Sequence, residues 1–157
     1  MTTATIDGNS VESLGGLNIN ADISLNEVNL EEIDLILISG GDGIEKVIDE
    51  EMVENALKRA YRLEVPIASI YASAVLLAKA GIIAEKKFTC MEGTFKYYQN
   101  IFSQSTYTGA DVEVGAGYIT AKGTSYPEFT IETCKLLGLV KDGKQAERMY
   151  LFCTGKR

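Results

Sequence analysis

The chain has 157 residues, with 15 Lys+Arg against 22 Asp+Glu for a formal net charge of −7, and it contains neither histidine nor tryptophan. The missing histidine excludes a Ser-His-Asp or Cys-His triad, a histidine proton shuttle and nearly every catalytic zinc arrangement within this chain. The acidic balance argues against nucleic acid as a partner, because phosphate backbones are bound by clustered Lys and Arg. An apolar fraction of 46% with 24% charged residues fits one folded domain over residues 1–157 with a substantial core. The three cysteines, Cys90, Cys134 and Cys153, are odd in number and show no CxxC spacing. Neither a disulfide framework nor a metal site is expected, no cofactor is implied, and reduced thiols suit the cytoplasm. No stretch approaches the ~20 apolar residues of a membrane span, and the first residues lack the pattern of a signal peptide.

Along the chain, residues 2–6, 11–14 and 17–21 read as short strands, with Asp7-Gly8 as a hairpin signal and Gly15-Gly16 as a second turn. Residues 33–39 form a nearly continuous aliphatic run, stopped by Gly40-Gly41-Asp42-Gly43. Such a run is expected to be a strand covered on both faces of a parallel sheet. Asp49-Glu50-Glu51 opens a helix whose apolar stripe is Met52, Val53, Ala56, Leu57 and Ala60, with Lys58, Arg59 and Arg62 near its end. A second buried strand, residues 66–70, runs directly into an Ala/Leu-rich helix over residues 72–80, stopped at Gly81. A short segment at 87–90, a helix around 94–101, strands near 112–114 and 118–121, and a helix from 125 to 137 complete the pattern. Strands alternating with helices predict an α/β sandwich with a mainly parallel sheet.

Two junctions carry chemical interest. Gly40-Gly41 at the end of the aliphatic strand offers a tight turn with N–H groups suited to an oxyanion or anion, or else a plain strand-to-helix turn. The second junction, Ile70-Tyr71-Ala72-Ser73-Ala74, has the layout of a nucleophile elbow, in which a strand turns at once into a helix between small residues. Its apex is Tyr71. A phenol with a pKa near 10 and no histidine to activate it is a poor nucleophile, so an aromatic plugging a crevice is the expected role. Ala72 follows at the helix N-terminus as a candidate oxyanion donor.

These segments resemble the ThiJ/PfpI superfamily of the class I glutamine-amidotransferase-like fold. The resemblance rests on Gly40-Gly41, the elbow at Tyr71, Leu76-Leu77-Ala78-Lys79-Ala80-Gly81, Phe88-Thr89-Cys90-Met91-Glu92-Gly93, Gly117-Tyr118-Ile119-Thr120-Ala121-Lys122-Gly123 and Pro127-Glu128-Phe129. It covers roughly residues 2–147, is nearest to the protein-deglycase branch, and implies a flavodoxin-like three-layer sandwich. Where that family has a reactive cysteine within A-I-C-x-G-P, this chain has Tyr71, with Ser73 and Ala74 replacing the glycine and proline. The family's histidine, its acidic partner and its opening strand-helix unit are also missing from their expected places. The resemblance thus implies a dismantled site, a pseudoenzyme retaining the scaffold, a small-molecule crevice and a homodimer surface.

The vacated strand position has two readings. Residues 148–155 form a strand-like apolar run that would fill it in a circularly permuted order. Alternatively, residues 145–152 continue the last helix, and a partner or domain swap completes the sheet. The first would bring Cys153 towards the elbow and allow a cysteine-dependent hydrolase, deglycase or glyoxalase-like activity, as would residues from a partner chain. A further reading is a fragment or rearranged chain. Cys90 is expected to be half-buried in a strand and Cys134 to lie in a helix core.

Overall fold

The computed structural model describes residues 1–156. Its centre is a four-stranded sheet in the spatial order β5-β6-β10-β9, formed by β5 (Ile36–Ile38), β6 (Ile67–Ile70), β10 (Tyr118–Ala121) and β9 (Val112–Gly115). The first three strands run parallel and β9 is antiparallel to β10. Alternation along β6 and β10 sorts side chains to two faces. Ile67 and Tyr118 join Leu57, Ala60, Val75 and Leu77 from α1 (Glu51–Arg62) and α2 (Ala74–Lys79). Ala68, Ile119 and Ala121 pack with Phe129 of α4 (Tyr126–Leu136) on the other face. This is the expected three-layer α/β sandwich, and α1, β6 and α4 fall close to where the hydrophobic pattern places them.

Smaller pairs surround this sheet. β7 (Lys87–Phe88) pairs in parallel with β8 (Thr106–Tyr107), bringing four aromatic rings together beside α3 (Glu92–Tyr97). Phe88 stacks on Phe102 at 4.4 Å between centroids, and Phe95 stacks on Tyr107 at 4.2 Å.

The amino-terminal region departs from its sequence pattern. The hairpin is formed by β2 (Val11–Glu12) and β3 (Asn18–Ile19) around Gly15-Gly16, whereas Asp7-Gly8 closes no hairpin. The Asp7 carboxylate instead accepts from the Asn9 backbone N–H and side chain, and β1 (Ala4–Thr5) pairs in parallel with β4 (Ile23–Ser24). The local side-chain turn competes successfully with the two-residue hairpin. β5 is also not covered on both faces. None of its residues is buried, and Leu37 is 57% exposed, because among the described residues β5 ends the sheet with β6 as its one strand neighbour.

The carboxyl-terminal segment is not a central strand. Residues Gly143–Cys153 form α5, which packs on α4, so the permuted order is not adopted. Asp142 caps this helix by accepting from the Gln145 N–H at 2.8 Å. Gln145, Ala146, Met149, Tyr150, Leu151 and Cys153 are its half-buried positions, with Ala146, Met149, Tyr150 and Cys153 at helical spacing, while Phe152 points outward at 85% exposure. The spacing of three and four residues defines a helical stripe that a strand would split between two faces.

α1 ends in a left-handed residue that is not glycine. Glu64, at φ 59°, donates its N–H to the Tyr61 carbonyl, and Val65 donates to Ala60, with both Val65 and Ala60 buried. That is the Schellman arrangement, in which glycine is the least strained residue at the left-handed position. Glu64→Gly should therefore stabilise the fold by about 0.5–1 kcal/mol, or roughly 1–4 °C in thermal midpoint, measured by calorimetry.

Candidate functional site

The carboxyl ends of β5, β6 and β10 converge on one residue. β6 stops at Ile70 and the chain turns through Tyr71 with φ 65°, a left-handed conformation that costs a bulky residue about 1–3 kcal/mol. Small buried residues, Ala72, Ser73 and Ala74, follow immediately and let α2 start directly beneath the strand end.

Ser73 secures the turn from below. Its hydroxyl donates to the Ile70 carbonyl at 2.7 Å, with the Ile38 carbonyl at 3.3 Å, and lies 2.9 Å from the Ser69 hydroxyl. With the Ser73 proton directed at Ile70, Ser69 is the donor in that pair. Both hydroxyls are buried and partnered, so they link β5, the elbow and β6 without a desolvation deficit.

Above the turn the fit is steric. A Cβ on Gly40 would lie 2.3 Å from the Tyr71 Cβ and 2.6 Å from the Ile70 carbonyl oxygen, and one on Gly123 would lie 2.6 Å from Tyr71 Cδ2. Glycine is required at both positions by space. Gly41 has extended backbone, at φ 163° and ψ 166°, and leads into a short 3₁₀ turn over Asp42–Lys46. That turn presents Asp42, whose carboxylate accepts from the Tyr71 hydroxyl at 2.9 Å. The hydrogen bond to Asp42, then its charge, hold the Tyr71 phenol above its usual pKa of 10. Tyr71 is thereby kept neutral, which makes it a still weaker nucleophile.

Tyr71, Gly40 and Gly41 line an open crevice of about 360 Å³ with Ile70, Met91, Gly123 and Thr124. Met91 also borders a neighbouring groove of about 550 Å³ walled by Phe95, Lys96, Tyr107, Gly109 and Lys122. Of the expected site residues, Tyr71, Gly40 and Gly41 are therefore brought together. Ala72 is buried beneath them and does not line the crevice. Cys153 is not brought to the elbow. It sits at the end of α5, where its carbonyl accepts from the Tyr126 hydroxyl at 3.3 Å.

Cys90 is more deeply placed than its sequence suggested, being fully buried, and burial pushes its thiol up to about 12. Cys134 lies on α4 and is half-buried. Asp42 was not singled out by sequence reasoning as the phenol's partner, nor Ser73 as the brace. The contact with Asp42 spans 29 residues and has no local signature. Ser73 was legible only as a hydroxyl occupying a position where the resembling family has glycine.

Two outcomes follow from this geometry. Gly40→Ala should destabilise the fold by about 1–3 kcal/mol in denaturant unfolding. Tyr71→Gly in that background should recover only part of the loss, since the Ile70 carbonyl remains in the way. Separately, NMR titration of ring-labelled tyrosine, assigned with Tyr71→Phe, should show Tyr71 titrating above pH 10 and moving down in Asp42→Asn. The stability linked to this bond is present below the unfolded pKa of 10 and is lost as pH rises through the raised folded value.

Comparison with known proteins agrees with this architecture. The family model described as the DJ-1/PfpI family matches residues 1–136. The chain is 28% identical over 142 residues to Uncharacterized protease YoaZ of Bacillus subtilis (strain 168), covering 87% of this chain and 66% of that protein. It is 33% identical over 79 residues to a deglycase of Pyrococcus abyssi (strain GE5 / Orsay), covering 50% of this chain and 47% of that one. The chain thus spans about half to two thirds of the curated relatives it matches. Among solved structures, a DJ-1 superfamily protein from Agrobacterium tumefaciens superposes with a TM-score of 0.84 at 28% identity, over 99% of this chain and 83% of that one. A thiJ/pfpI family protein from Bacillus anthracis gives 0.85 at 24% identity, over 99% and 74%. With the matched segment running from the first strand through α4, the chain belongs to the DJ-1/PfpI family.

Proposed function

We propose that this chain is a DJ-1/PfpI domain with a dismantled nucleophile elbow, non-catalytic at that position, which retains the crevice for a small polar molecule. The observation that carries this reading is Tyr71 at the strained apex, neutral and donating to Asp42 at 2.9 Å. Acyl or carbonyl chemistry at such an apex needs a nucleophile poised near neutral pH and a base to activate it. The phenol is held above its ordinary pKa, and this chain has no histidine.

The crevice nevertheless keeps what a small ligand requires. Gly40, Gly41 and Gly123 leave open backbone along the crevice, and the phenol oxygen still has lone-pair capacity after donating to Asp42. The competing reading, a cysteine-dependent hydrolase, deglycase or glyoxalase-like enzyme, draws support from the printed names of the relatives, a protease and a deglycase. It requires Cys153, or residues of a partner chain, to reach the crevice. The packing of α5 on α4 and the burial of Cys90 favour the first reading. A reducing, cytoplasmic setting suits the three unpaired thiols.

Glyoxal and methylglyoxal turnover, run with mapped iodoacetamide labelling at neutral pH, tests the proposal. The expected result is turnover at the buffer rate for the unchanged chain and for Tyr71→Phe, and no rapidly alkylated thiol, with Cys90 protected until unfolding. Turnover abolished by Tyr71→Phe, or by alkylation of Cys153, would overturn it.

A further inference from the structure

The groove beyond Met91 is larger than the crevice at the elbow and is built from other elements. Apart from Met91, which borders both, its walls come from α3, β8, Gly109 and the residue that follows β10. At about 550 Å³ it has the size of a pocket for a small organic molecule. One wall is aromatic and firmly held. Phe95 and Tyr107 stack with their planes 9° apart, and the buried Phe88 ring adjoins both, at 6.3 Å and 5.7 Å between centroids. Gly109, at φ 67°, keeps the phenol end of Tyr107 uncovered, since a Cβ there would lie 3.7 Å from its Cε1 and its hydroxyl. The Met91 thioether adds polarizable apolar surface.

Charge selects the kind of molecule. The charged side chains of the lining are Lys96, Lys122 and Glu92, so the groove is net positive in a chain of net charge −7. Lys96 is paired with Glu92 at 2.6 Å, and both are well exposed, which leaves that pair in solvent. Lys122 differs. Its side chain is 26% exposed, whereas its partner Asp111, 3.1 Å away, is 68% exposed and does not line the groove. The Lys122 N–H donates to the Asp111 carbonyl at 3.0 Å, which anchors the base of the side chain. With one ammonium proton given to Asp111, two more can be donated. Burial raises the Tyr107 phenol most, with Cys90 and Glu92 adding to it, and the charges of Lys122 and Lys96 act against them. Both cations therefore reach the phenol end of the aromatic wall. An aromatic wall alone would suit a quaternary ammonium, but two lysines beside it oppose a cation and favour an anion.

We propose that this groove is a binding site for a small aromatic carboxylate, its ring against Phe95, Tyr107 and Met91 and its carboxylate accepting from the Lys122 ammonium. The ring covers apolar surface that is otherwise open to water, and the carboxylate uses the donors that Asp111 leaves free. The inference does not depend on what the elbow crevice binds or on whether Tyr71 is inert, because no residue of the elbow turn lines the groove.

The probes are 2-naphthoate, its neutral amide 2-naphthamide and the cation 2-naphthylmethylammonium, titrated by calorimetry with amide chemical-shift mapping. Saturable binding of 2-naphthoate is expected, with shifts centred on Phe95, Tyr107, Gly109 and Lys122. The amide should bind about tenfold more weakly, and the cation should not bind. Lys122→Met keeps the stem and removes the charge. It should weaken 2-naphthoate about tenfold, bring it level with the amide, and leave the thermal midpoint nearly unchanged. Lys122→Arg should keep most of the affinity, and Tyr71→Phe should change nothing. The proposal is overturned if 2-naphthoate does not bind saturably. Equal affinity for acid and amide in the unchanged chain, or no effect of Lys122→Met, would mean apolar adhesion alone and would overturn it too. Shifts centred on Gly40, Gly41 and Thr124, with binding weakened by Tyr71→Phe, would move the ligand to the crevice and equally overturn it.

Discussion

The close approach of Gly40 and Gly123 to Tyr71 is the constraint on which the site depends. Three parallel strands deliver their carboxyl ends to one point, and only backbone with no side chain fits on either side of the ring. The left-handed turn at Tyr71 is costly in itself, so it persists because its surroundings leave no alternative. Ser73 bonded to Ile70 below, glycine on both flanks, and the buried start of α2 together fix the turn. Relaxing Tyr71 would move the Ile70 carbonyl away from its hydroxyl partner and break the junction of β6 with α2. The same arrangement aims the phenol at Asp42 instead of into the sheet.

How much of this was legible depends on range. α1, β6 and α4 announce themselves through local periodicity, caps and helix-ending residues, and their packing merely completes the pattern. β1 and β4 are two-residue strands whose partners lie 19 residues apart, and nothing local distinguishes them from hairpin arms. The Asp7-Gly8 signal failed because the Asp7 carboxylate closes its own turn onto Asn9. α5 was readable from the spacing of Ala146, Met149, Tyr150 and Cys153. The expectation of a strand there arose from the need to close a sheet, and that need does not override the helical stripe.

The exposure of β5 follows from the same distinction. A run such as Ile36-Leu37-Ile38 reports that its residues are apolar; it does not report whether a neighbour is present. Coverage is a property of the assembled sheet, where β5 has a single partner and helices shield one face more fully than the other.

The thiol that adjoins the elbow in sequence is kept away from it for a reason rooted in packing. Cys90 immediately precedes Met91, which lines both the crevice and the adjoining groove, so it is the thiol that adjoins the site in sequence. It is nevertheless turned into the core beneath Phe95 and Tyr107, with its sulfur directed to the Met91 carbonyl. Burial pushes this thiol up to about 12, so it stays protonated at neutral pH. Burial in the core that also includes Phe88 and Phe102 is thus what silences the nearby sulfur. The exposed turn at the start of α2 is occupied by Tyr71 and carries no thiol.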